Sequence, residues 1–154
     1  MVQKQDTKRR RWLTAYAPLV IWIVVILGLG TQIGAMSETS RIIRPFLEFL
    51  FPDASPETLT IIHGYIRKLA HLTEYAVLAL LAYRVFKLRY PFLISLLLVM
   101  AIAITDEANQ SFMTTRTSSA WDVLLDVSGG AVMLALIWFV KRRRLSIGEQ
   151  RPLE

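Results

Sequence analysis

The sequence predicts an all-α membrane protein, a four-helix transmembrane bundle with a short interfacial helix in its first outer loop. Three observations carry that prediction. Of 154 residues, 54% are hydrophobic and the mean hydropathy is +0.43, high for a soluble chain of this length. The apolar residues gather in four spans, about 16–34, 67–86, 91–108 and 121–140, and crossing ~30 Å of hydrocarbon at ~1.5 Å per residue takes roughly 20 of them. Basic residues flank these spans in a pattern: Lys4, Lys8, Arg9, Arg10 and Arg11 precede the first, Arg84, Lys87 and Arg89 separate the second from the third, and Lys141, Arg142, Arg143, Arg144 and Arg151 follow the fourth.

In a four-span topology these thirteen basic residues share one side with Asp6, Glu149 and Glu154 alone, so the two sides carry about +10 and −4. The positive-inside rule assigns the basic side to the cytoplasm, together with both termini, and the expected location is the cell membrane, multi-pass. Orientation thus accounts for the net charge of +6, and nucleic acid is not an expected partner, because each basic cluster abuts an apolar span. The chain has no cysteine, which excludes disulfides and thiolate chemistry. There is no repeat and no second domain: residues 1–11 read as a basic cytoplasmic tail, 12–145 as one transmembrane domain and 146–154 as a second tail.

Trp12 and Tyr16 mark an aromatic interface belt where the first span begins. That span, read alone, is also compatible with a secretory leader, although its apolar run exceeds the usual length. The loop after it contains Ser37-Glu38-Thr39-Ser40, a choice of helix caps, followed by Ile42, Ile43, Phe46, Leu47, Phe49, Leu50 and Phe51. This predicts the interfacial helix, over about 38–51, with Pro45 best suited to a first turn and Pro52 as the stop. Ser55-Pro56-Glu57 is a helix start, with a serine cap, proline at the first position and an acid at the positive end of the dipole. The helix it opens runs to about Phe86, longer than its apolar part, so its first turns project outward. Tyr90-Pro91 opens the third span, 114–119 is a polar outer loop, and Trp121 marks the interface where the fourth begins. The second and third spans are apolar only over 69–83 and 92–105, so their insertion depends on partner helices.

The chemistry lies in ionisable and amide residues inside these spans: Lys68, His71, Glu74 and Tyr75 in the second, Glu107 and Gln110 in the third, Arg116 in the loop, and Asp122 and Asp126 in the fourth. A charge within a bilayer costs a few kcal/mol or more, so such residues must face one another or water. The topology places all of them in the outer half. At ~100° per residue, Lys68, His71 and Tyr75 share one helix face with Glu74 at its edge, Glu107 lies ~60° from Gln110, and Asp122, Asp126 and Gly129 fall within ~60° of one another. Gly129 is expected to admit a close backbone approach. Each residue also has a plain structural reading: Lys68 snorkelling to headgroups, His71 as a bonded core imidazole, Asp122 as a helix cap, Arg116 as a headgroup contact. Jointly they form an outward-opening polar site. No nucleophile elbow, phosphate loop or HExxH spacing is present, His63 with His71 is not a zinc motif, and neither a metal nor a cofactor is expected.

These residues resemble the VanZ-like family of small bacterial multi-span membrane proteins, related to a teicoplanin-resistance factor. The resemblance rests on Lys68-x-x-His71-x-x-x-Tyr75, Glu107-x-x-Gln110, and Arg116 followed by Asp122-x-x-x-Asp126-x-x-Gly129. Asp126 departs from the family pattern, which often has Asn there. The resemblance implies a membrane fold and, for some members, a link to lipoglycopeptide tolerance, but no mechanism. Three functions follow as expectations. The first is a binding site for an envelope ligand, such as a membrane lipid, a lipid-linked envelope precursor or a lipoglycopeptide, that modulates teicoplanin-type resistance, with a homo-oligomer allowed. The second is an enzyme on a lipid-phosphate or other envelope substrate, with His71 or Glu107 as general base. The third is a proton-coupled transporter, disfavoured because the inner half of each span is apolar.

Overall fold

The computed structural model describes residues 2–31, 36–86, 88–112 and 119–149, and these form five α-helices and no strands. They are α1 (Val2–Leu29), α2 (Met36–Leu50), α3 (Pro56–Val85), α4 (Pro91–Ser111) and α5 (Ala120–Glu149). The serine cap before α3 forms as expected: Ser55 Oγ accepts from the Thr58 amide at 3.2 Å, with Pro56 at the first position. Pro91 opens α4 in the same way.

Two starts and stops differ from the sequence reading. α1 is helical from Val2, because the Lys, Arg and Gln residues of 3–11 are good helix formers, so the helix runs through the segment read as a basic tail. Pro45 lies inside α2 rather than in its first turn, on the exposed side of the helix.

α3 is the hub. It packs against each of the other four helices, most extensively against α5, whereas α1 and α5 do not pack on one another among the described residues. The reason is its buried stripe, Tyr75, Leu78, Ala79, Ala82 and Val85, which repeats at helical spacing and uses two alanines to bring neighbouring backbones close. Leu19 and Ile26 of α1, Val99 and Ala103 of α4, and Leu134 of α5 complete the core. Trp22 Nε1 donates to the Glu74 carbonyl at 2.9 Å and fixes α1 against α3.

α4 (Pro91–Ser111) and 26 residues of α5 (Ala120–Leu145) are long and apolar enough to cross a bilayer as lone spans; the apolar part of α1 is Leu13–Leu29. α3 falls short of that measure because Lys68, His71 and Glu74 interrupt its apolar run. Large apolar side chains nonetheless face outward around the bundle, among them Val20, Ile21 and Val24 on α1, Leu93 and Ile104 on α4, and Val132 and Leu136 on α5. An exposed belt of this extent suits lipid rather than water. α2 docks on the first turns of α3 through Leu47, Leu59 and His63, and turns Ile42, Phe46 and Phe49 outward as one apolar stripe.

Candidate functional site

α3, α4 and α5 meet at the end of the bundle where α4 finishes and α5 begins, and there their polar residues converge. His71 Nδ1 stands 3.7 Å from Asp126 Oδ1 across the α3–α5 interface and 3.9 Å from Glu74 Oε2 along its own helix. Asp106 of α4 joins them: one ligand atom each from His71, Asp106 and Asp126 lie within 4.8 Å of one another. Asp106 and Asp126 are buried, while the side chains of His71 and Glu74 are 22% and 21% exposed, so the cluster has an acidic floor and a rim that reaches solvent.

Two glycines make this approach geometrically possible. A Cβ at Gly129 would overlap the Leu72 carbonyl, so only glycine lets α5 come close enough to α3 to set Asp126 beside His71. A Cβ at Gly30 would overlap the Asp106 carboxylate, which makes the end of α1 a wall of the same cluster. The polar atoms are unevenly satisfied. Gln110 Nε2 donates to Asp106 Oδ2 at 2.9 Å and orients that carboxylate. Asp126 Oδ1 and the Tyr75 hydroxyl are buried without a hydrogen-bond partner, although Asp106, Asp126, Glu74 and Glu107 are the electrostatic neighbours of that hydroxyl. A native core rarely leaves such groups unsatisfied, because each costs about 1–3 kcal/mol.

The remaining expected residues occupy distinct places. Lys68 is exposed, on the stripe that leads through half-buried His71 to fully buried Tyr75, and it does not touch the cluster. Glu107 Oε2 accepts the Ser119 amide at 3.0 Å, and Ser119 in turn accepts from Asp122 N at 2.9 Å, so Glu107 ties the end of α4 to the first turn of α5. Asp122 is half-buried in that turn. Arg116 lies outside the described residues, as does Gly34 of the first span's outer end. Asp106 is the participant that the helical-phase argument passed over in favour of its neighbour Glu107; its spacing of four from Gln110 is the signal that marks it.

His63, two turns before the cluster, takes part in a different assembly. Its buried ring lies 3.2 Å from Thr39 Oγ1 and 3.1 Å from Ser40 Oγ, holding α2 on α3, and burial, aided by the Arg67 charge, lowers its pKa below the ordinary imidazole value. A cavity of about 890 Å³ sits at the opposite end of the bundle, lined by Tyr16, Tyr83, Arg84, Phe86, Pro91 and Lys141. It is far from the acids and its lining is basic and aromatic.

Residues 14–141 match the family model described as VanZ/LLP1, which takes in α2, α3 and α4 whole, the greater part of α1 and α5, and every residue of the cluster. No curated protein and no solved structure matches the chain. A match over that share of the sequence shows the family, and the chain belongs to the VanZ/LLP1 family.

Proposed function

We propose that this chain is a multi-pass membrane protein, with both termini cytoplasmic, that works by acid/base chemistry on the polar end of a lipid-anchored envelope substrate. The observation that supports this reading best is the convergence of His71, Asp106 and Asp126 around a buried carboxylate oxygen that has no hydrogen bond. A site that only recognises a headgroup gains nothing from burying an unsatisfied acid. A site that must hold or pass a proton does. The rim pair, His71 and Glu74 at 3.9 Å, is the route by which a proton reaches solvent. Glu107, already engaged by Ser119, fits the positioning of α5 better than proton transfer. The four-span arrangement is part of the proposal; the three basic clusters that fall on one side of it, the outward apolar belt and the family support it.

The experiment is turnover by purified protein in detergent of polyprenyl-phosphate, polyprenyl-diphosphate and phospholipid substrates. Product is expected from at least one class, falling ~10²-fold or more in His71→Ala. No product from any of the three, in protein shown to be folded, would defeat the enzymatic reading.

Five carboxylates, Glu74, Asp106, Glu107, Asp122 and Asp126, influence one another here, and that surplus favours a second reading, in which the cluster meets an ammonium group of a lipoglycopeptide. Teicoplanin tolerance would then rise on expression and return to the background level with Asp126→Asn. Equal tolerance with and without expression would remove that reading.

A further inference from the structure

The geometry points to a divalent metal site at the floor of the cluster, with His71, Asp106 and Asp126 as its three protein ligands and the solvent-reaching side toward Glu74 left for water or substrate. Four observations converge on it. The donor set is one imidazole nitrogen and two carboxylate oxygens, each from a different helix, so a single ion would cross-link α3, α4 and α5. The separations are close to what coordination needs: two atoms each ~2.1 Å from a tetrahedral metal stand roughly 3.4 Å apart, and here the His71–Asp126 pair is at 3.7 Å with all three atoms within 4.8 Å. The His71–Asp126 pair would have to close by about 0.3 Å and the widest pair by at most ~1.4 Å.

The charge also fits. A neutral imidazole and two carboxylates sum to −2, which a divalent cation cancels; two buried carboxylates facing each other without one are costly. Asp126 is 2% exposed, and its Oδ1 lacks a hydrogen bond. The fully buried Tyr75 hydroxyl, equally without a partner, lies among the same acids and is a donor for a water or hydroxide held there. The ligands are supported as metal ligands usually are: Gln110 donates to the Asp106 oxygen, and the two glycines remove the Cβ atoms that would displace Asp106 and separate α5 from α3. One nitrogen with two oxygens suits Zn²⁺ or Mn²⁺.

The proposal deepens the acid/base reading above and rests on it only for what the ion is used for. His71 Nδ1 becomes a ligand, and Glu74, 3.9 Å from it on the rim, is left as the proton acceptor for a metal-held water.

The test uses the full chain, purified in detergent with any affinity tag removed and stripped with chelator, and the probes are Mn²⁺ and Zn²⁺ alone without substrate. One ion per chain is expected, with affinity at least tenfold weaker in Asp126→Asn and His71→Ala, and unchanged in Asp53→Asn on the loop before α3. The chain has two histidines, His63 and His71, so nitrogen hyperfine coupling to bound Mn²⁺ identifies the ligand without depending on a delicate variant. It is expected to persist in His63→Gln. No stoichiometric metal in the wild type, binding unaltered by both ligand variants, or bound Mn²⁺ without imidazole coupling would each overturn the site. Metal binding without turnover defeats only the enzymatic reading, and turnover at full rate in chelated protein defeats only the metal.

Discussion

At one end of the bundle Lys141 of α5 donates to the Tyr83 hydroxyl at 2.6 Å and also lies over that ring, Arg142 and Arg143 lie over Trp138 and Phe139, and a cavity of about 890 Å³ separates the helices. At the other end, glycines press backbones together until three acids and an imidazole share one small volume, and two buried oxygens find no hydrogen-bond partner. Both ends carry charge within apolar helices, but they treat it differently. The cations are long side chains that bury their stems and keep their heads at the surface over aromatic rings, so each is solvated and costs little. The two aspartates, Asp106 and Asp126, have short side chains fixed on the inner faces of α4 and α5 and cannot reach out. Charge at the first end stays at the surface at little cost, whereas at the second it is retained against its energetic cost, which is why we place function there.

The sharpest way to break this contrast is steric. Gly129→Val puts a branched side chain where even a Cβ would meet the Leu72 carbonyl, so α5 must move away from α3; thermal melting in detergent should show a loss of about 3 kcal/mol or more, or no folded protein. Gly28, with nothing near its Cβ position, is the control: Gly28→Ala should be neutral or slightly stabilising.

A second prediction separates function from structure at the same end. If the unsatisfied Asp126 oxygen is kept for function, then in metal-free protein Asp126→Asn should leave stability unchanged or raise it by ~1 kcal/mol while abolishing activity or metal binding. A loss of 2 kcal/mol or more would make the acid cluster a structural network like the basic end.

A third concerns α2, the helix that overlies the acidic end. His63 is buried with its pKa depressed, so the unfolded or undocked form binds more protons as the pH drops. The α2–α3 contact is therefore fully stable above about pH 6.5 and weakens as pH falls below it. Amide protection factors over residues 39–50, with the intrinsic pH dependence of exchange divided out, should fall between pH 7.5 and 5, and His63→Gln should flatten that dependence. No pH response in the wild type would detach His63 from the docking.

The smallest effect is expected from the exposed Arg44–Glu48 pair on α2, 3.0 Å apart with both side chains about half exposed. Arg44→Ala should change stability by less than ~0.5 kcal/mol, and 0.5 M salt should remove even that.

The sequence by itself determined much of this protein. The composition and the apolar runs announce an all-helical chain, and the flanking basic residues announce which helix ends lie together. Ser55-Pro56 and Tyr90-Pro91 mark two helix starts at the residue, because caps are local chemistry. Helical phase brings His71 and Asp126 forward as site residues, since the 3.6-residue period is also local. What only the tertiary structure decided is which stripe meets which. Lys68 and His71 share a face, yet one is exposed and the other enters the cluster beside Asp126 of α5. Asp106 rather than Glu107 faces His71, since a single residue step rotates a side chain by ~100° and the packing angle of α4 sets which step points inward. Gly30 lies beside Asp106 although 76 positions separate them in the chain. Such contacts depend on how closely backbones approach, and that closeness is a property of helix pairs that no single segment encodes.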